Sequence, residues 1–117
     1  MPGVIRDVEP SALKDLLEHP LRATVAFVAD EQVDVVPVRA RCHAETYRFG
    51  ALPAFAASLE GREVVLVIDD GPYFFELRGI SVRGLARREP AEPDGLTWYA
   101  IEPRRILAWD YAAMRET

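Results

Sequence analysis

The stretch YFFELRGISVRGLARRE, Tyr73–Glu89, decides the fold. Its apolar residues alternate with polar ones, which is the period of a strand half buried in a sheet. Phe75 and Leu77 share one face, yet the next apolar pair is Ile80 and Val82, so the phase slips by one residue at Arg78–Gly79. A slip of one residue is the signature of a β-bulge. A long bulged strand is the device by which a small sheet bends into a barrel.

The segments on either side fit that reading. REVVLVIDD, residues 62–70, is a continuous apolar run, which predicts a central strand buried on both faces, and the following Asp70–Pro72 is a turn. LRATVAFVA and VDVVPVRAR, residues 21–29 and 33–41, predict a hairpin across the short polar connection Asp30–Gln32. Pro37 has no N–H to give a ladder, so its strand lies at an edge or carries a bulge there. ETYRFG predicts a third strand ending at Gly50, and LTWYAIEP, after the solvated loop PAEPDG, predicts the last.

Two helices complete the pattern. PSALKDLLEHP places Leu13, Leu16 and Leu17 on one face, with Ser11 as its cap and Pro20 as its stop. ALPAFAASLEG predicts a helix from about Pro53 to Gly61. PRRILAW predicts a helical turn seeded by Pro103. The expected fold is mainly β: a six-stranded antiparallel Greek-key split barrel, with a short N-terminal helix and a helix between strands 3 and 4, in one domain of 117 residues.

Composition narrows the functions. The formal net charge of −5 argues against nucleic acid and anionic membranes as partners. Lys14 is the one lysine among 14 basic residues, and the others are arginines, whose forked guanidinium suits phosphate or carboxylate. A single cysteine, Cys42, leaves no intrachain disulfide. MPGVIRDVEP carries Arg6, Asp7 and Glu9 where a signal peptide is apolar, and no apolar run is long enough to span a membrane, so a cytoplasmic location is expected. No G-x-S-x-G, H-E-x-x-H, Walker or C-x-x-C motif is present, and no dedicated acid–base pair is visible, so catalytic residues stay unknown. Cys42 and His43 are strand neighbours that point to opposite faces, so no metal site is expected there.

The order of elements, together with RATVAFVADEQVDVVPVRA, TYRFGA, REVVLVIDD, LRGISVRGLARR and IEPRRILAW, resembles the pyridoxamine 5′-phosphate oxidase-like family of FMN-binding split β-barrels. The resemblance covers nearly the whole chain. It implies a homodimer with flavin in clefts between subunits. It also implies hydride transfer at flavin N5 to a small conjugated or aromatic substrate, with FMN or the deazaflavin F420 as cofactor. Relatives that bind haem or bilins, or that lack a known ligand, supply the alternative: a non-catalytic ligand-binding or stress-related barrel, with His43 as a haem ligand.

By the same resemblance Arg39 and Arg41 occupy the second-strand position that holds the cofactor phosphate. They alternate and so share a face. Their alternative is a solvated strand face paired with Asp or Glu. Arg48, Gly50 and Ala51 match the stretch where the third strand turns into the helix, and Trp109 closes the C-terminal signature at the dimer interface. Trp98 and Trp109 are anchors of the core or interface, or ring-stacking groups. One departure stands out. The family's flavin binders carry Lys or Arg at the start of the second helix, and here no charge occurs from Ala51 to Leu59. Losing one charged hydrogen bond to a phosphate costs about 1.5–3 kcal/mol, or about ten- to a hundred-fold in affinity.

Overall fold

A computed structural model describes residues 9–20, 22–54, 58–71 and 77–111. A 3-10 turn, Pro10–Leu13, runs directly into the helix α1, Lys14–Glu18. Seven strands follow: β1 Ala23–Ala29, β2 Gln32–Pro37, β3 Arg39–His43, β4 Thr46–Ala51, β5 Glu63–Asp70, β6 Arg78–Arg88 and β7 Thr97–Asp110. They form one antiparallel sheet in the order β2-β1-β5-β6-β7-β4-β3.

This order requires the sheet to curl. β2 and β3 are its two edges, yet Val38 alone separates them along the chain. The edges must therefore come together, and the Val38 amide donates to the Ala23 carbonyl at 3.1 Å where they meet. The expected second strand, Val33–Arg41, is in fact two strands, which makes seven rather than six. Pro37 explains the break. It ends an edge strand, as a residue without an N–H is suited to do.

The ring is not closed on the other side. β4 pairs with β7 only over Thr97–Ala100, whereas β7 continues along β6 to Asp110. From Glu102 to Trp109, β7 has a strand partner on one side only among the described residues. The N-terminal helix packs across the gap against β3 and β5, burying Leu13 and Leu16. It starts at Pro10, and no side chain caps it, so Ser11 does not play the expected role.

Both two-residue hairpin turns place two residues in the left-handed region: Asp30 and Glu31 between β1 and β2, Ala44 and Glu45 between β3 and β4. That is the I′ geometry whose twist matches the strands, although neither turn uses the Asn-Gly pair that adopts it most readily.

Residues 73–76, which begin the expected strand, lie outside the described residues, and the register is unbroken across Arg78–Gly79, the expected site of the bulge. β6 runs in phase from Arg78 to Arg88, with Ile80, Val82 and Ala86 facing inward. The ladder breaks register between Arg83 and Gly84: Arg83 faces Arg105, Gly84 faces Pro103, and Arg104 is the extra residue on β7. Gly84 permits this, because a Cβ there would lie 2.0 Å from the Glu102 carbonyl oxygen. Pro103 does not seed a helical turn. A bulge is one of the few places where a strand tolerates proline, and β7 continues through it as strand. The expected helix at 53–61 is untested in its middle, since 55–57 lie outside the described residues; 53–54 and 58–61 are turns or irregular backbone.

The core is the inner face of the barrel: Val25, Phe27, Phe49, Leu66, Ile68, Ile80, Val82, Tyr99 and their neighbours, all buried. Phe49 and Tyr99 stack at 5.2 Å between centroids. The Tyr99 hydroxyl accepts the Leu59 amide at 3.0 Å, so the buried hydroxyl is satisfied. Among the described residues no helix is long and apolar enough to cross a membrane.

Candidate functional site

The residues singled out for phosphate lie on the outer face of β3 and β4. Across that pair Arg39 faces Gly50 and Arg41 faces Arg48, and Gly50 in turn faces Trp98 on β7. Inward-facing residues alternate with these: Ala40, Phe49 and Ala51 are buried in the core. Five of the six expected contacts, Arg39, Arg41, Arg48, Gly50 and Ala51, are thus adjacent. Ala51, however, points into the core and offers only its backbone to the outer face.

Trp109 is far from them. It lies eleven residues beyond Trp98 on the same strand, roughly 35 Å of extended chain. Its ring covers Gly79, where a Cβ would lie 2.7 Å from the indole, as the Trp98 ring covers Gly50 at the same distance. An odd separation along a regular strand would put the two rings on opposite faces. The extra residue, Arg104, restores the parity, so both tryptophans stand on the outside of the barrel.

Trp98 is fully buried yet lies outside the main core cluster. Its cover is the Arg41–Arg48 pair and the loop joining β6 to β7. The Arg41 guanidinium stands 4.2 Å from the ring centroid and that of Arg48 5.3 Å, both within cation–π range. Two cations directly opposite each other on neighbouring strands repel. The loop supplies the remedy. Arg41 Nη1 donates to Glu92 Oε1 at 2.7 Å, Arg48 Nη2 donates to Glu92 Oε2 at 3.1 Å, and Arg48 Nε donates to Glu89. Asp94 accepts the Trp98 indole N–H at 2.8 Å and the Leu96 amide at 3.0 Å.

The electrostatics follow. The Arg41 hydrogen bond, with that from Arg48, holds the Glu92 carboxyl below the usual carboxylate range. The Leu96 amide and then the Trp98 indole do the same for Asp94. Glu89 raises the Arg48 guanidinium further above its already high value. The alternative reading of Arg41, a strand-face arginine paired with acids, is therefore what the structure contains, and Arg48 shares it. Arg39 differs. It makes no hydrogen bond or close ion pair among the described residues, but its charge acts on Asp94 through space, and it borders a cleft of about 370 Å³ with Pro37, Val38, Gly50, Leu52, Asp94 and Leu96. As they stand, these residues offer a phosphate Arg39, in a cleft that also holds the Asp94 carboxylate, and Arg41 and Arg48 only if Glu92 and Glu89 give way.

Sequence reasoning missed Glu89, Glu92 and Asp94, reading Glu89 as the end of a strand and Pro90–Gly95 as a solvated loop. The signal was available: Pro90 and Pro93 bracket Glu92 just after an arginine-rich strand.

A second, larger cleft of about 570 Å³ opens where the barrel is split, between α1, the β3–β4 hairpin and Ile106. Cys42, Tyr47, Leu17 and Ile106 line it, with Lys14, His43, Glu18 and Glu45 among its polar groups. Cys42 lies against the core and His43 is exposed, as their alternation requires. Burial pushes the Cys42 thiol up to about 11, which disfavours the reactive thiolate at neutral pH.

No protein-family model matches the chain, and no curated protein matches it in sequence. Solved structures do. The FAD binding protein from Mycobacterium smegmatis is 18% identical with a TM-score of 0.68, over 88% of this chain and 97% of that one. A candidate pyridoxamine 5′-phosphate oxidase from Corynebacterium glutamicum is 15% identical with a TM-score of 0.65, over 92% and 94%. HutZ, the heme storage protein from Vibrio cholerae, is 12% identical with a TM-score of 0.66, over 89% and 96%. The curled seven-stranded sheet, open along half of β7, is thus the split barrel shared by flavin-binding and pyridoxamine 5′-phosphate oxidase-like proteins.

Proposed function

We propose that this protein is a cytoplasmic homodimeric flavin-binding split barrel of the oxidoreductase class, taking FMN or F420 at the outer face of β3 and β4. The observation that carries this reading is Arg39: an arginine that hydrogen-bonds to no acid among the described residues, set beside a cleft walled by Leu52, Leu96 and the Asp94 carboxylate, next to two further arginines. Bound flavin would supply the hydride chemistry. The chain's own part is to bind and orient it. Arg39 would contact the phosphate, the backbone at Gly50 lies close under the cleft, and Leu52 and Leu96 would exclude water from the ligand.

The dimer has its own motive. Val28, Val33 and Val35 form an exposed apolar patch on the outside of β1 and β2, and Ile106 is exposed on the half of β7 that lacks a second strand partner. Exposed contiguous apolar surface of this kind marks contact with another molecule. Sedimentation at micromolar concentration is expected to give a dimer, and a monomer would remove this part of the proposal.

A second reading is favoured by Glu89 and Glu92, which already occupy Arg41 and Arg48. On it the barrel is a non-catalytic binder, with haem in the split cleft beside His43. The visible absorption spectrum after adding FMN, F420 or haemin and desalting separates the two. Retained flavin or deazaflavin absorbance supports the first; a Soret band with no flavin retention supports the second.

A further inference from the structure

We propose that Glu92 is a built-in competitor for phosphate at Arg41 and Arg48, and so sets how strongly this face takes phosphorylated ligands. The geometry is that of a bound anion. One carboxylate presents its two oxygens to two different guanidiniums, Oε1 to Arg41 at 2.7 Å and Oε2 to Arg48 at 3.1 Å. A phosphate would grip the same pair through two of its oxygens. Glu89 takes the remaining face of Arg48.

The competitor is held in place in advance. Pro90 and Pro93 fix the backbone on either side of Glu92. The loop is pinned at its base by the Glu89 amide on the Trp98 carbonyl, 2.8 Å, and by Asp94 on the Trp98 indole. A preorganised group binds without paying the ordering entropy that a free ligand must. Its grip is still reversible, because each pair is partly open to water and such pairs are individually weak. An incoming phosphate therefore exchanges with Glu92 and is handicapped by it, while a ligand without phosphate is not.

The inference rests on the proposed ligand face, but its test does not need flavin. Exchange at Arg41 and Arg48 disturbs the loop that covers Trp98, so Trp98 fluorescence reports it. Trp109→Phe removes the other indole. Inorganic phosphate is titrated into this parent, into Glu92→Gln and into Glu89→Gln, with sodium chloride at matched ionic strength as the control. Glu92→Gln is expected to lower the phosphate concentration at half-change by about tenfold, the scale of two partly exposed ion pairs acting together. Glu89→Gln should lower it less, and adding Arg41→Ala to Glu92→Gln should abolish the response. Identical phosphate curves for the parent and both single variants would overturn the proposal, as would a response equalled by chloride. A phosphate response in a protein that retains no flavin would leave the competitor standing and remove the flavin reading. Flavin retention with no effect of Glu92→Gln would do the reverse.

Discussion

The two ends of β7 carry the same device and end in different states. At each end a tryptophan lies over a glycine on the outer face, Trp98 over Gly50 and Trp109 over Gly79. At the first end β7 has a strand on both sides, and the indole is sealed by two arginines and an acidic loop. At the second end β7 pairs with β6 alone among the described residues, and Trp109 is only partly buried. The first end is completed by the chain itself. At the second, the homodimer proposed above would cover the edge that lacks a second strand among the described residues. The bulge at Arg104 joins the two halves, and its one extra residue keeps both indoles on one side.

The largest expected effects test this contrast directly. Trp98→Ala removes a fully buried indole and should cost about 3–5 kcal/mol in denaturant unfolding. Trp109→Ala, at the partly buried end, should cost about half as much in the isolated subunit. Equal losses would mean that the ends do not differ. Gly84→Ala places a Cβ 2.0 Å from a backbone oxygen that cannot swing away, and should cost about 3 kcal/mol or the bulge itself. A neutral result would show that the bulge needs no glycine.

Smaller effects follow at the hairpins. Glu45 sits at a φ of 66°, and Glu45→Gly should stabilise by about 1 kcal/mol because glycine adopts that conformation without strain. The same change in the β1–β2 turn, Glu31→Gly at a φ of 64°, should give a similar gain, so a larger gain at Glu45 would locate extra strain at the turn bordering the cleft. Acid should loosen the sealed end before the rest. Glu92 and Asp94 have folded values below their ordinary ones, so their contribution is present above the usual carboxylate range and is lost as pH falls through the depressed values. Trp98 emission in the Trp109→Phe background should shift to the red below about pH 4, whereas a flat profile there would contradict the ion-pair seal.

Much of this fold was readable from residue patterns. The apolar run REVVLVIDD is β5, an interior strand as expected, and Pro37 marked an edge, but β5 buries only alternate positions, Val64, Leu66 and Ile68, while Val65 and Val67 on its other face are half-buried, so the expected burial on both faces is not met. What failed were features set by pairing rather than by local pattern. Whether Pro103 starts a helix or sits in a bulge depends on a partner, β6, that is long enough to carry the strand past it. The position of the bulge likewise depends on register between two strands, which a single strand's phase does not contain. At the site, the arginines were legible because alternation places Arg39 and Arg41 on one face. The neutralisation of Arg41 and Arg48 was not, because Glu92 is 51 residues from Arg41 along the chain.

The most direct test of the account is an equilibrium titration with FMN, followed by the change in flavin fluorescence, on the unaltered protein and on Arg39→Ala. The account predicts that the unaltered protein saturates in the micromolar range and that Arg39→Ala needs about ten- to a hundred-fold more FMN, the loss of one charged contact to phosphate. Equal affinities, or no saturation of the unaltered protein, would contradict the placing of the ligand on the outer face of β3 and β4.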